Sequence, residues 1–173
     1  MSFAKWSAFL LVCFALVFPS TAVAESPSLA GEYELDKEES DDMVEAFEPA
    51  ISEMSRFRRG FARRAIRRED GPGEVMRIEQ SDDEVVIEHG DNPAMTIPLN
   101  GKTVDHTDGD GDVEQISARV ENGVLKTHTR RDEGEYTTEY HLSSDGRRLD
   151  IVMEMHFDRL PKAVDYRLVY RRK

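Results

Sequence analysis

Seven hydroxyl-bearing side chains stand in one alternating phase along three stretches near the carboxyl end of the chain. Period-two alternation is typical of β-strands, so we predict that these side chains face the interior of a sheet. A buried hydroxyl without a partner costs about 1–3 kcal/mol, so a solid core would more usually be aliphatic. Water or a ligand could satisfy them. The candidate ligand-binding residues are Thr127, Thr129, Tyr136, Thr138, Tyr140, Tyr166 and Tyr170.

A second candidate site is the segment 56–68, which holds seven arginines and no acidic residue. The plainer interpretation is a solvated helix face whose guanidinium groups pair with the protein's own carboxylates. The functional alternative is a basic amphipathic patch that contacts an anionic lipid surface or an acidic partner, with Phe57, Phe61 and Ile66 as apolar anchors. Its candidate contact residues are Arg56, Arg58, Arg59, Arg63, Arg64, Arg67 and Arg68.

The stretch Asp108-Gly-Asp-Gly-Asp112 clusters the hard oxygen ligands that Ca²⁺ prefers. It does not match an EF-hand, because Val113 stands where the tight-turn glycine belongs and Arg119 where the bidentate glutamate belongs. A solvated turn is favoured, which leaves Asp108, Asp110 and Asp112 as weak calcium candidates.

No other motif indicates metal binding or catalysis. His128, His141 and His156 alternate with the inward positions, so we expect them to point outward, and none has a ligand partner at a helical metal spacing. The sequence contains no nucleophile elbow, phosphate-binding loop or dinucleotide-binding glycine pattern. We therefore expect no cofactor, and we do not expect the protein to be an enzyme.

Composition restricts the classes of partner. The 173 residues carry a formal net charge of -12, which argues against nucleic-acid binding because phosphate neutralisation needs a basic face. The chain is long enough for one domain with its own core.

Residues 1–24 have the pattern of a signal peptide. Lys5 precedes the apolar run 8–18, and Ala22-Val23-Ala24 has the small residues of a cleavage site. The run is shorter than a bilayer span requires. We expect a periplasmic or secreted protein cleaved after Ala24, with residues 25–173 forming a single domain.

A strand is predicted at 31–35, followed by one long amphipathic helix over about 39–68. Ser40 is the expected N-cap and Gly71-Pro72-Gly73 the terminator. The apolar stripe of the helix consists of Met43, Phe47, Ile51, Met54, Phe57 and Phe61.

Short alternating segments separated by turn residues fill the rest of the chain. Asn122-Gly123 suits a two-residue hairpin turn. The predicted strands lie near 74–80, 84–89, 94–99, 102–106, 113–121, 124–131, 135–142, 147–157 and 164–172.

Three short motifs accompany this order of elements. They are Gly31-Glu32-Tyr33-Glu34-Leu35-Asp36, Tyr140-His-Leu-Ser-Ser-Asp-Gly146 with Leu149, and Val169-Tyr170-Arg171-Arg172. The chain resembles the small secreted lipocalin-like, calycin-type β-barrel domains of bacteria. The resemblance implies a mainly-β, antiparallel up-and-down barrel of about 8–10 strands. It also implies that Tyr33 packs under an arginine of the closing strand, either Arg171 or Arg167.

Two functional hypotheses remain. In the first, the protein is a secreted or periplasmic binding module, and its barrel holds a small apolar or amphipathic ligand against the inward hydroxyls. In the second, the barrel core is solid and the Arg-rich helix 56–68 contacts an anionic envelope surface or an acidic partner. The two hypotheses differ in whether the barrel interior is a cavity.

Overall fold

The computed structural model describes residues 28–67 and 72–173, so the expected signal peptide and Arg68 lie outside the described residues. Within these described ranges, ten antiparallel strands and two helices make up the fold. The strands are β1 Gly31–Leu35, β2 Val75–Gln80, β3 Glu84–His89, β4 Met95–Pro98, β5 Val104–Thr107, β6 Val113–Glu121, β7 Val124–Arg131, β8 Gly134–Leu142, β9 Arg148–Phe157 and β10 Val164–Arg172, and the helices are α1 Met43–Glu53 and α2 Arg56–Ile66.

The strands form one sheet in the order β4-β3-β2-β1-β10-β9-β8-β7-β6-β5. Strands adjacent in sequence pair antiparallel except β4 and β5, which lie at the two edges of this sheet, and β1 joins both halves by pairing with β2 and β10. An isolated bridge between Asn100 and Arg119 brings the β4 side of the sheet against β6. The sheet therefore curls into a nearly closed barrel, which confirms the predicted mainly-β barrel with a helical insertion after the first strand.

Turn chemistry sets the register of the longest hairpins. Asn122 and Gly123 have positive φ angles of 52° and 80°, as a type I′ turn requires. This turn pairs Ala118 with Thr127 across β6 and β7 and keeps both on the inward face.

The insertion consists of two helices rather than the single helix predicted over 39–68. Asp42 is the N-cap of α1 and accepts a hydrogen bond from the Glu45 amide at 2.9 Å, so the predicted cap, Ser40, was wrong. The Ser40 hydroxyl instead accepts from the Val169 amide at 2.9 Å and ties this segment to β10.

The chain turns between the two helices at Met54 and Ser55, whose ψ angles of 162° and 148° are extended. This turn changes the direction of the following helix, so the predicted apolar stripe does not continue. Helix α2 buries Ile66, whereas Phe57 and Phe61 are 88% and 76% exposed. No helix within the described residues is both long and apolar enough to cross a bilayer.

The helices cover the end of the barrel where β9 finishes and β10 starts, which we call the helix end. Phe47 and Ile51 of α1 pack in one cluster with Val164 and the partly buried Phe157. The Phe47 and Phe157 ring centroids are 5.9 Å apart.

An aromatic–arginine pair closes the opposite end. The Arg172 guanidinium lies 5.2 Å from the ring centroid of fully buried Tyr33 and donates to its hydroxyl at 2.7 Å. The resemblance implied Arg171 or Arg167, which was wrong. The register sets Tyr33 directly opposite Arg172, so these two share a face, while Arg171 points outward to Asp36.

Candidate functional site

The inward face of β6 to β10 brings most of the candidate hydroxyls together. Direct cross-strand partners share a face of the sheet. Thr127 is paired with Thr138, and Thr138 with Met153, which faces Tyr166. The next row towards the helix end pairs Thr129 with Tyr136. The structure therefore places the predicted hydroxyls on one continuous inner surface, here called the hydroxyl belt, made of Thr127, Thr129, Tyr136, Thr138, Tyr140 and Tyr166.

Members of the belt are enclosed and yet retain some accessible surface. Thr127, Thr138 and Tyr140 are 5%, 4% and 5% exposed, whereas the inward residues Leu149 and Tyr170 are 0% exposed. The belt is therefore nearly, but not completely, buried on the inward face of the sheet.

Burial changes the acidity of the belt. Desolvation raises the pKa of Tyr140 well above its usual range, and raises the pKa of Tyr166 to about 12. For Tyr136, desolvation and the nearby Glu114 carboxylate both raise the pKa. These phenols stay neutral at physiological pH and can act as donors and acceptors of hydrogen bonds.

Tyr170 differs from the other candidates. Its hydroxyl donates to the Gly73 carbonyl at 2.9 Å and so anchors the segment that enters β2. Its hydrogen-bonding group is therefore used within the protein, although desolvation raises its pKa to about 12 as well.

Sequence reasoning missed a charged pair in the barrel. Glu114 is 3% exposed, and its Oε2 accepts from Arg131 Nε at 2.6 Å and from Tyr136 Oη at 3.4 Å. The available signal was phase: Glu114 alternates with the inward residues Ile116 and Ala118, so its carboxylate had to point inward.

The Asp-rich loop uses its first carboxylate for its own backbone. Asp108 Oδ1 accepts from the Asp110 and Asp112 amides at 3.0 and 2.9 Å, and these bonds lower the Asp108 pKa. Its Oδ2 lies 3.6 Å from Arg131 Nη2. Across residues 28–67 and 72–173, no three His, Cys, Asp or Glu side chains are grouped to hold a metal ion.

The three strand histidines point outward, as expected, beside glutamates. His141 and His156 lie 3.0 and 3.1 Å from Glu139 and Glu154. His89, which sequence reasoning did not place, is half-buried opposite Met76, and desolvation lowers its pKa.

The Arg-rich segment divides into paired and exposed members. Arg63 Nε donates to Glu48 of α1 at 2.8 Å, and Arg59 Nε donates to the Met54 carbonyl at 2.9 Å. The remaining described arginines are exposed at the surface of α2 or just after it, namely Arg56, Arg58, Arg64 and Arg67.

Two open grooves lie on the outside of the molecule. One, of about 530 Å³, runs between the α1–α2 junction and the β9–β10 turn, and it includes Arg58 and Arg159. The other, of about 450 Å³, lies beside β1 and includes Arg171. Neither contains a residue of the hydroxyl belt.

Comparison with known proteins gives structural neighbours only. No protein-family model matches the chain, and no curated protein matches it in sequence. The REP1-NXSQ fatty acid transporter superposes with a TM-score of 0.54 at 13% identity, covering 84% of this chain and 96% of its own. Lipid binding protein 8 of Caenorhabditis elegans gives 0.54 at 13% identity, with coverages of 83% and 94%.

A secretary abundant heat soluble protein from Ramazzottius varieornatus gives a TM-score of 0.58 at 12% identity, covering 83% of this chain and 94% of its own. The described residues form ten antiparallel strands in a nearly closed barrel, with two helices between the first and second strands. This fold is the lipocalin-like β-barrel that these neighbours share.

Proposed function

We propose that this protein is a binding module whose barrel holds a small apolar or amphipathic ligand against the hydroxyl belt. The observation that carries the proposal is that six hydroxyl-bearing side chains lie on the inward face of a nearly closed barrel. Polar groups at that position are costly unless water or a ligand satisfies them.

The structural neighbours support a ligand of this type. Several are described as fatty acid transporters or as lipid- or fatty-acid-binding proteins, and they share the arrangement of strands and helices. Half-buried Met153 and Met155 lie in the same rows as the belt, and methionine adapts its shape to apolar ligands.

Filling the interior tests this proposal. Ala118 is 1% exposed and pairs with Thr127 of the belt, so the ring in Ala118→Phe would occupy the proposed chamber. We expect this variant to fold with near wild-type thermal stability and to lose binding of a neutral lipophilic fluorophore. Ser117→Phe, on the opposite face of β6, is the matched control and should bind normally.

A solid core gives the opposite result. In that case Ala118→Phe would overpack the interior and cost about 1–3 kcal/mol of stability. The wild-type protein would then bind no fluorophore, and the chamber proposal would be rejected.

We further propose that this module works in the periplasm or outside the cell, supported by the signal-peptide pattern of residues 1–24. Amino-terminal sequencing of the protein from its native source should begin at Glu25. A cytoplasmic species that retains Met1 would contradict the proposal.

A second candidate function is contact of helix α2 with an anionic lipid surface. Two observations favour it: Phe57 and Phe61 are one helical turn apart and almost fully exposed, and exposed arginines flank them. Aromatic side chains insert at the headgroup boundary while guanidinium groups attract anionic lipid.

Vesicle co-sedimentation tests this contact. We expect binding to phosphatidylglycerol vesicles that weakens with salt, little binding to phosphatidylcholine vesicles, and a loss of at least about tenfold in Phe57→Ser/Phe61→Ser. Val113→Ser/Val120→Ser, which removes exposed apolar residues from β6, is the control and should bind like wild type. Equal binding by both double variants would exclude α2 as the contact.

A further inference from the structure

Glu114 places a negative charge inside the barrel. Among the described residues that are buried, it is the one charged side chain; the other buried polar residues are threonines. It lies on β6 towards the helix end, two residues and therefore one inward-facing position beyond the row of Thr129 and Tyr136. A buried carboxylate is retained only where partners compensate its desolvation.

Arg131 compensates the buried charge of Glu114, but it also pairs with a second carboxylate, that of Asp108. The Arg131 guanidinium contacts Glu114 at 2.6 Å and Asp108 at 3.6 Å, and its side chain is 45% exposed. Its charge centre also lies 6.0 Å from the Tyr136 ring centroid. Two carboxylates therefore surround one guanidinium, and this cluster, here called the Glu114 cluster, has an excess of negative charge.

Among the described residues of the Glu114 cluster, the one cation is Arg131, and it is already paired with two carboxylates. A carboxylate head would compete with Glu114 and Asp108 for Arg131 and would be repelled by both. A hydroxyl, amide or ammonium head would instead donate a hydrogen bond to the Glu114 carboxylate, and the Tyr136 hydroxyl would be a further partner.

We propose that the chamber selects amphiphiles whose head donates hydrogen bonds and carries no negative charge, and that it discriminates against fatty-acid carboxylates. The inference rests on the proposed ligand-binding function and names its ligand class. The apolar tail would lie along the interior, past Ile116 and Met155, which neighbour the cluster on the inward face.

Three probes of equal chain length test the selection on the wild-type protein. Dodecanol, dodecylamine and laurate are each used to displace the neutral fluorophore N-phenyl-1-naphthylamine. We expect laurate to bind at least about tenfold more weakly than dodecanol, a difference of about 1.4 kcal/mol. Equal or tighter binding of laurate would overturn the inference while leaving the binding module intact. If the wild-type protein bound no fluorophore at all, both this inference and the proposed ligand-binding function would be rejected.

Removing the negative charge of Glu114 should weaken the preference for dodecanol over laurate. In Glu114→Gln the side chain keeps its shape and loses its charge, so we expect the dodecanol-to-laurate ratio to fall to within about threefold. Glu84→Gln, an exposed position on β3, is the matched control and should keep the wild-type ratio.

A second variant covers the case in which Glu114→Gln does not fold. Asp108→Asn removes the other carboxylate and keeps the oxygen that accepts from the loop amides, so it should also reduce the ratio. An unchanged ratio in the folded variants would assign the selection to other groups and overturn the inference.

Discussion

Two tyrosines on the inner surface of the barrel illustrate how one residue type serves two purposes. Tyr170 is fully buried and its hydroxyl donates to the Gly73 carbonyl, so it holds two segments together. Tyr140 keeps a little accessible surface and lies beside Leu125 and Ile151 in the barrel wall. The Tyr140 hydroxyl interacts with Thr127 of the belt, whereas the Tyr170 hydroxyl anchors a backbone segment, so we expect the two hydroxyls to have different roles.

Removing each hydroxyl separately tests this difference. Tyr140→Phe should weaken binding of dodecanol by a few-fold to about tenfold, because a hydrogen bond worth about 0.5–1.5 kcal/mol is lost, and should leave stability nearly unchanged. Tyr170→Phe is the matched control and should lower the free energy of unfolding by a similar amount without changing affinity. Fluorophore displacement and urea unfolding measure the two effects; the reverse assignment would contradict the prediction.

At the scale of elements, the helices depend on the barrel for their position. Helix α1 has only eleven residues, too few for stability alone in water, so its packing on the helix end must hold it. Helix α2 is held by Ile66 and by the Arg63–Glu48 ion pair, and its aromatic residues remain free for contact.

Ile51 is the residue through which this dependence can be measured. It is fully buried where α1 packs on the start of β10, so Ile51→Ala should cost about 2–5 kcal/mol of unfolding free energy through lost burial and a cavity. Ser52→Ala, on the exposed side of the same helix, should change stability by less than about 0.5 kcal/mol. Urea unfolding measures both; a loss below about 1 kcal/mol at Ile51 would show that α1 packs loosely.

At the scale of the whole molecule, ion pairs with arginine and lysine stabilise the charged form of several surface carboxylates. Arg171 and Lys173 lower the pKa of Asp36 and Glu32, and Arg148 lowers that of Asp150. A carboxyl whose pKa is lowered on folding stabilises the protein above its unfolded pKa, and this contribution is lost as pH falls through the lower folded value.

Stability should therefore fall in acid in two stages. Burial lowers the pKa of His89, so protonation favours the unfolded chain and stability starts to decrease below about pH 6.5. The paired carboxylates add a steeper decrease below about pH 4.5. Urea unfolding across this range measures both stages, and His89→Gln should remove the first alone. A constant free energy of unfolding down to pH 3 would contradict the prediction.

The strands were predictable because their signal is local. Alternation and turn residues such as Asn122 and Gly123 depend on neighbours in sequence, so strand positions after residue 73 were close to those observed. The same alternation placed Thr127, Thr138 and Tyr140 on one face. The helical segment was less predictable, because a spacing of three or four residues does not reveal a turn at Met54 and Ser55.

Sequence by itself determined the fold class, the inward phase of the hydroxyls and the concentration of arginines in one segment. Only the tertiary structure decided which residues meet across the sheet. Arg172 rather than Arg171 packs on Tyr33, a contact between residues 139 positions apart, because strand register selects the facing residue. The Glu114–Arg131 pair likewise follows from strand register, which sets Gln115 of β6 opposite Arg130 of β7 and so brings the next two residues together. Burial of Glu114 on the inward face of the barrel then strengthens the interaction, because a charge pair is less screened away from water.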